Sequence, residues 1–388
     1  MTDAHRTNTP TTLTLVTLLA LIASLVAACT GLEPAPGSTT TGTSPSPSSP
    51  FDPTTSPKPP PTPTGPLLAY RAADEIGLVD GTEVVATAPG TFAPSNDLLT
   101  TEDGRFVFAR TVDGGLTSLE VSTGKANDHA VTMGPTVGTA GGSTVVWWEQ
   151  PNRLMMLDLA DPDAQPTLMR TVDLPPVAGV RPGEPRLVVA RGGTALIARV
   201  EAPPSPFGGP DTLYAVRGPG PPSPLGQADA NSPVTVARLS PDGAQLAYAL
   251  YRSTDPGCGT AAVVQAYADG TQQTFDVAGA DENAGSRVTR LWWPATGPPM
   301  LSLTTWQCGQ PQTFPPLVWQ LDGDQIAQTS PPTSALQIAD LGNGQRALIL
   351  PDSGALTEPA GTLVFEEGTR RFSLEDGVDG IAVISPSP

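Results

Sequence analysis

Lysine is nearly missing from this 388-residue chain: Lys58 and Lys125 are its two instances, and histidine is as scarce, at His5 and His129. Even with arginine, 20 basic residues stand against 38 acidic ones, a formal net charge of −18. Nucleic-acid binders need basic patches that displace counterions, so no nucleic-acid partner is expected. Nor is there a polybasic segment for anionic lipid. Two histidines and three cysteines leave no His/Cys set for a metal centre. A Ser-His-Asp triad would have only His129 to use, and no G-x-S-x-G elbow accompanies it. His129 falls in an expected outer strand or turn and reads as a surface residue. The longest apolar run, residues 13–26, has fourteen residues, short of the roughly 20 that span a bilayer. Helical periodicity is all but absent.

What is present begins with that run. His5 and Arg6 precede it, and Val26-Ala27-Ala28-Cys29 closes it, which is the three-part layout of a secretory signal peptide. A cysteine directly after the small residues resembles the lipobox of bacterial lipoproteins. The resemblance implies cleavage between Ala28 and Cys29, acylation of Cys29, and attachment to the cell membrane on its extracytoplasmic side. The alternative is an ordinary signal peptide with a cysteine nearby. From Glu33 to Pro66 the chain holds twelve prolines and fourteen serines or threonines. Such a stretch buries too little apolar surface to repay ordering and reads as a disordered tether over 29–66. At about 3.1 Å per residue in polyproline form it would reach up to about 110 Å. Its Ser/Thr density also suits a glycosylated stalk. Abundant Ala, Pro and Gly with scarce Lys suggests a GC-rich bacterial genome of the actinobacterial type.

Residues 67–384 read as short strands parted by turns, before a polar tail at 385–388. Asp-Gly or Asn-Gly recurs at Asp80, Asp103, Asp113, Asp242, Asp269, Asp322 and Asn343, pairs that accept the positive φ of tight hairpins. Apolar runs follow at Phe106–Arg110, Val145–Trp148, Ala195–Val200, Leu246–Leu250, Met300–Thr304 and Ala347–Leu350. The glycines ahead of them, at 104, 142, 193, 243, 297 and 344, are 38, 51, 50, 54 and 47 residues apart. That period, with about four strands per unit, predicts a β-propeller. The clearest unit pairs LSPDGAQLAYAL (239–250) with VVQAYADGTQQTF (263–275). It resembles the repeat of TolB-like and WD40-like propellers, and TTEDGRFVFAR (100–110) is a weaker copy. The chain opens with three strands, Leu67–Arg71, Glu75–Val79 and Glu83–Ala88, and ends with one, Asp379–Ile384. Setting the last strand innermost in the first blade completes four and closes a ring of seven blades; six or eight blades, or two β-sandwiches, are the rival architectures. The fold class is all-β.

Chemistry is sparse. Most carboxylates fall in turns, where they cap backbone; Leu321-Asp322-Gly323-Asp324 lacks the other ligands of a calcium loop and reads as a hairpin turn. No catalytic residue, cofactor or metal is expected. Cys258 and Cys308 form an even pair suited to a disulfide in an oxidising compartment, with two free thiols or a metal pair as alternatives. The adjacent pairs Trp147-Trp148 and Trp292-Trp293 should point to opposite faces of their blades. Two connections exceed hairpin length, Glu201–Pro210 and Tyr251–Gly259. A candidate binding rim therefore comprises Tyr251, Arg252, Trp292 and Trp306, the last on a long connection beside Cys308. Resemblance to TolB-like proteins implies protein–protein contact in the cell envelope: a monomeric, lipid-anchored scaffold with an envelope protein as partner. The second reading is a hydrolase or lyase, or a small-ligand sensor, acting on envelope material through the central channel.

Overall fold

Seven four-stranded antiparallel blades close into a ring in the computed structural model, which describes residues 67–384 except 95–96, 180, 202–208, 256, 268–269, 278–282, 311–313 and 353–359. The leader, Cys29, the tether and the tail at 385–388 lie outside the described residues. The inner strands of blades 2 to 7 are Leu98–Thr100, Val137–Thr139, Arg186–Arg191, Ala237–Leu239, Ala284–Trp292 and Gln337–Gly342. Blade 1 takes its inner strand, Gly380–Ile384, from the far end of the chain. That strand pairs antiparallel with Leu67–Arg71 over five residues, from Leu67 opposite Ile384 to Arg71 opposite Gly380. The closure expected from the strand count is the one observed.

Each run of apolar residues noted above is the second strand of its blade. The glycines at 104, 142, 193, 243, 297 and 344, which follow inner strands, all have φ between 57° and 98°. An L side chain pays for that left-handed backbone and glycine does not, so the spacing of these glycines records the spacing of the blades. The Asp-Gly turns are closed by side chains. Ser240 Oγ donates to Asp242 Oδ1 at 2.5 Å, which accepts from Ala244 N at 3.0 Å. The same device recurs at Thr101 and Asp103, with distances of 2.6 Å and 3.1 Å to Arg105 N.

Seven apolar clusters fill the seven seams between blades. Alternate residues of one strand serve opposite seams, as the pleat requires. Leu68 and Tyr70 pack toward blade 7, whereas Leu67 and Ala69 pack toward blade 2. Trp147 enters the seam with blade 2 and Trp148 the seam with blade 4. Trp292 and Trp293 divide likewise between the seams with blades 7 and 5. Both Trp pairs thus behave as expected from strand geometry.

Two details depart from the expected elements. Residues 251–259 are not a loop: the second and third strands of blade 5, Leu246–Asp255 and Cys258–Ala266, stay paired to the tip, with Ser253 opposite Gly259. Tyr251 and Thr254 are residue types enriched in strands, and the ladder outruns its apolar portion. Second, blades 5 and 6 share an edge. Their outer strands pair in parallel, Asp276 opposite Gln325 and Val277 opposite Ile326, and merge two blades into one eight-stranded sheet.

Asp379 precedes the closing strand and accepts a hydrogen bond from Arg71 Nε at 2.7 Å, with side chains 1% and 2% exposed. Breaking a buried pair from one side costs about 3–5 kcal/mol, because a charge stays behind in a poorly solvating site. Asp379→Asn should therefore lower the urea midpoint by an amount equivalent to about 3–5 kcal/mol, and deletion of 380–384 should abolish cooperative unfolding. A midpoint within error of the parent for Asp379→Asn would refute this account of the closure.

Candidate functional site

Strand direction fixes the two faces of the ring. Inner strands start at one face, here the upper, and second strands return to it. The connections from second to third strands therefore all lie on the upper face. They include 201–210, 308–316 and 352–360, of which residues 202–208, 311–313 and 353–359 lie outside the described residues.

Cys258, at the tip of blade 5, is bonded to Cys308 of blade 6, with Cα atoms 5.2 Å apart. Around the bond the two blades are stitched together. Trp306 Nε1 donates to Gly257 O at 3.0 Å and Ala261 N to Ser286 Oγ at 2.9 Å; within blade 6, Cys308 N donates to Asn283 O at 2.8 Å. Trp306 belongs to the strand Met300–Gln307 and not to the connection after it. Its indole covers Gly285, where an added Cβ would overlap the ring; that glycine is needed for close approach. Arg287 stacks on Tyr251, its Cζ 5.2 Å from the ring centroid. Arg252 is held between Asp276 at 2.8 Å and Asp229 at 3.0 Å.

Three of the four expected rim residues, Tyr251, Arg252 and Trp306, thus gather beside the disulfide on the upper face. Trp292 does not join them. It ends the inner strand of blade 6, whereas Trp306 ends the antiparallel second strand, and Trp306 is opposite Gly285 in the ladder. At about 3.3 Å per residue the two tryptophans are roughly 20 Å apart along the blade. Trp292 lies in the lower channel wall, 9% exposed.

Sequence reasoning named no charged residue of the central channel, a cavity of about 1100 Å³ lined by all seven inner strands and running from Asp97 and Asp379 near the upper face past Trp292 to the lower turns at Pro241 and Pro294. Arg71 and Asp379 of blade 1, Asp97 of blade 2, Arg238 of blade 5 and Arg290 of blade 6 all line it. Arg238 Nη2 reaches Asp97 Oδ1 at 2.5 Å, so this ion pair spans the channel between blades on opposite sides. Trp293 Nε1 donates to Arg238 O at 3.3 Å and steadies its strand. Burial pulls the Arg290 guanidinium down to about 10; Asp379 and Asp97 oppose that shift, and Arg71 and Arg238 add to it. One signal could have revealed two of these arginines: V-x-R-L occurs at 236–239 and again at 288–291, one blade later.

His129 closes the outer strand of blade 2, with Nε2 2.9 Å from the Oγ of buried Ser118. It is half-buried and away from the channel lining. Among the described residues no group of His, Cys, Asp and Glu could hold a metal ion, and no helix is long and apolar enough to cross a membrane.

No family model and no curated protein matches the chain. Solved structures do. Dihydro-heme d1 dehydrogenase NirN is 15% identical, with 85% of this chain and 78% of that one covered and a TM-score of 0.45. An oligogalacturonate lyase in complex with manganese is 12% identical over 81% and 86%, at 0.46. A TolB-type protein of Agrobacterium tumefaciens is 14% identical over 67% and 85%, at 0.40.

Two measurements test these placements. Burial lowers the pKa of His129 below its ordinary 6.5, against the weaker pull of Asp128. The unfolded chain then binds the extra proton first, so this contribution to stability is complete above about 6.5 and declines as pH falls toward the folded value. Thermal midpoints should drop between about pH 7 and 5, and His129→Gln should flatten that slope; an unchanged slope would sink the assignment. Replacing Cys258 and Cys308 by alanine opens a fifty-residue loop, with an expected loss of about 2–4 kcal/mol in urea titrations. No measurable loss would mean that the ladder and the edge pairing already tie blades 5 and 6 without the bond.

Proposed function

We propose that this protein is a lipid-anchored, extracytoplasmic β-propeller that acts as a non-catalytic binding or scaffolding module in the bacterial cell envelope, with a protein partner docking on the upper face. The observation that carries the reading is the joining of blades 5 and 6 at that face. A disulfide, an indole-to-carbonyl hydrogen bond and the stacking of Arg287 on Tyr251 fix this rim across the two blades. Rigid rims lose little conformational entropy on binding. The lipobox at Ala28-Cys29 and the proline-rich stretch after it support the anchor and a long reach from it. Two acyl chains would satisfy the two-signal requirement of stable anchoring.

A propeller hydrolase or lyase would need an acid and a base converging on one substrate position. Of the four carboxylates that line the channel, Asp97, Asp379 and Glu366 are engaged by arginines and Asp340 accepts from Gly342 N at 2.9 Å. That arrangement supports recognition over proton transfer.

Crosslinking and pull-down from intact cells compares the full chain with Cys29→Ala and with the rim pair Arg252→Ala/Trp306→Ala. The expected result is one envelope protein captured by the parent, lost from the rim variant, and reduced when Cys29→Ala moves the protein from the membrane to the aqueous fraction. Equal capture by the rim variant, or retention of Cys29→Ala in the membrane, would overturn the corresponding half of the proposal.

A further inference from the structure

The channel lining is net positive in a strongly acidic chain: six arginines line it against four carboxylates, and part of that set gathers near its upper end. In a chain of net charge −18, three guanidiniums, Arg71, Arg238 and Arg290, converge there with two carboxylates, Asp97 and Asp379. Arg71 and Asp379 are consumed by the ring closure, buried against each other at 2.7 Å. Arg238 and Asp97 differ: their side chains remain 30% and 35% exposed, open to the cavity they cross. Arg290 sits beside them, its proton less firmly held because burial and two neighbouring arginines disfavour its charge. An added negative charge would relieve that position, since opposite charge favours the ionised form. Guanidinium groups present forked donors that match carboxylate and phosphate oxygens.

We infer that this end of the channel is an oxyanion-binding site in which Arg238 and Arg290 grip a carboxylate or phosphate group of a small ligand, and Asp97 is the built-in competitor that the ligand displaces from Arg238. The cavity of about 1100 Å³ exceeds what a lone anion needs and matches pockets that enclose organic ligands. A partly exposed ion pair contributes little net stability, so exchanging Asp97 for an incoming oxyanion is not prohibitive. The site is separate from the disulfide-tied rim, and each can fail without the other.

The test is calorimetric titration of the full chain at low ionic strength with two probes, inorganic phosphate and citrate. Binding of phosphate alone identifies a phosphoryl-reading site, and binding of citrate alone or more tightly identifies a carboxylate-reading one. Arg290→Gln should weaken the preferred probe at least tenfold. Asp97→Asn, which leaves the buried closure pair untouched, should tighten it about tenfold by removing the competitor. The proposal is overturned if neither probe binds at about 10 mM to parent or Asp97→Asn. It is equally overturned if Asp97→Asn binds no more tightly than the parent.

Discussion

Everything in this domain depends on one splice: the strand Gly380–Ile384 laid against Leu67–Arg71. A ring of blades has no beginning except where the chain makes one, and there the first blade lacks its inner strand. Without the splice, Leu67–Arg71 would present an open sheet edge to the channel. The seam between blades 7 and 1 would also lose Ile381. Five residue pairs hold the splice, and the buried Arg71–Asp379 contact fixes its register at one end. A slip by one residue would turn Ile381 and Ile384 from their seams, and Asp379 would no longer meet Arg71. The ion pair thus selects the register that the apolar residues then stabilise.

The same logic explains why the strands are so evenly apolar. An interior blade has neighbours on both faces, so alternation between buried and solvent-facing residues disappears. Val107, Phe108 and Ala109 are all fully buried, yet Phe108 serves the seam with blade 3 while Val107 and Ala109 serve the seam with blade 1. Polarity returns at the outer strands, as at Ala126–His129 and Thr167–Thr171. The channel is the exception. There polar and charged side chains stand among the apolar ones of the inner strands, and Arg238 of one inner strand meets Asp97, just ahead of another, across the channel. Arg238 and Asp97, far apart in sequence and in the ring, become partners only because seven blades bring their strands to face each other.

How much of this was legible follows from which constraints are local. Turn glycines and the Ser240–Asp242 device act within a few residues, so the blade period could be read from Gly104 to Gly344 without any tertiary knowledge. The closure was legible because three strands before the first repeat and one after the last leave a single economical arrangement. Rim placement was partly legible: Tyr251, Arg252 and Trp306 share the upper face because they lie near the upper ends of second strands. Trp292 was misplaced because strand direction reverses between it and Trp306, and proximity in sequence hides that reversal. The channel cluster was hidden for a deeper reason. Its five residues come from four blades, and only the repeated V-x-R-L of blades 5 and 6 leaves a trace in the sequence.

Blades 5 and 6 also differ mechanically from the rest of the ring. They are joined by the outer-strand pairing, the disulfide and the Trp306–Gly257 hydrogen bond, and a ten-residue buried cluster lies between them. On the other side of blade 6 the seam with blade 7 holds four buried residues, Trp292, Val318, Ala335 and Leu348. The cavity reaches into that seam, past Met300 and Thr333 to Arg346 and Glu366. Regions with few buried apolar contacts open first. The seam between blades 6 and 7 is therefore the least filled joint beside the fused pair, and the part of the ring where packing alone gives the least resistance to opening.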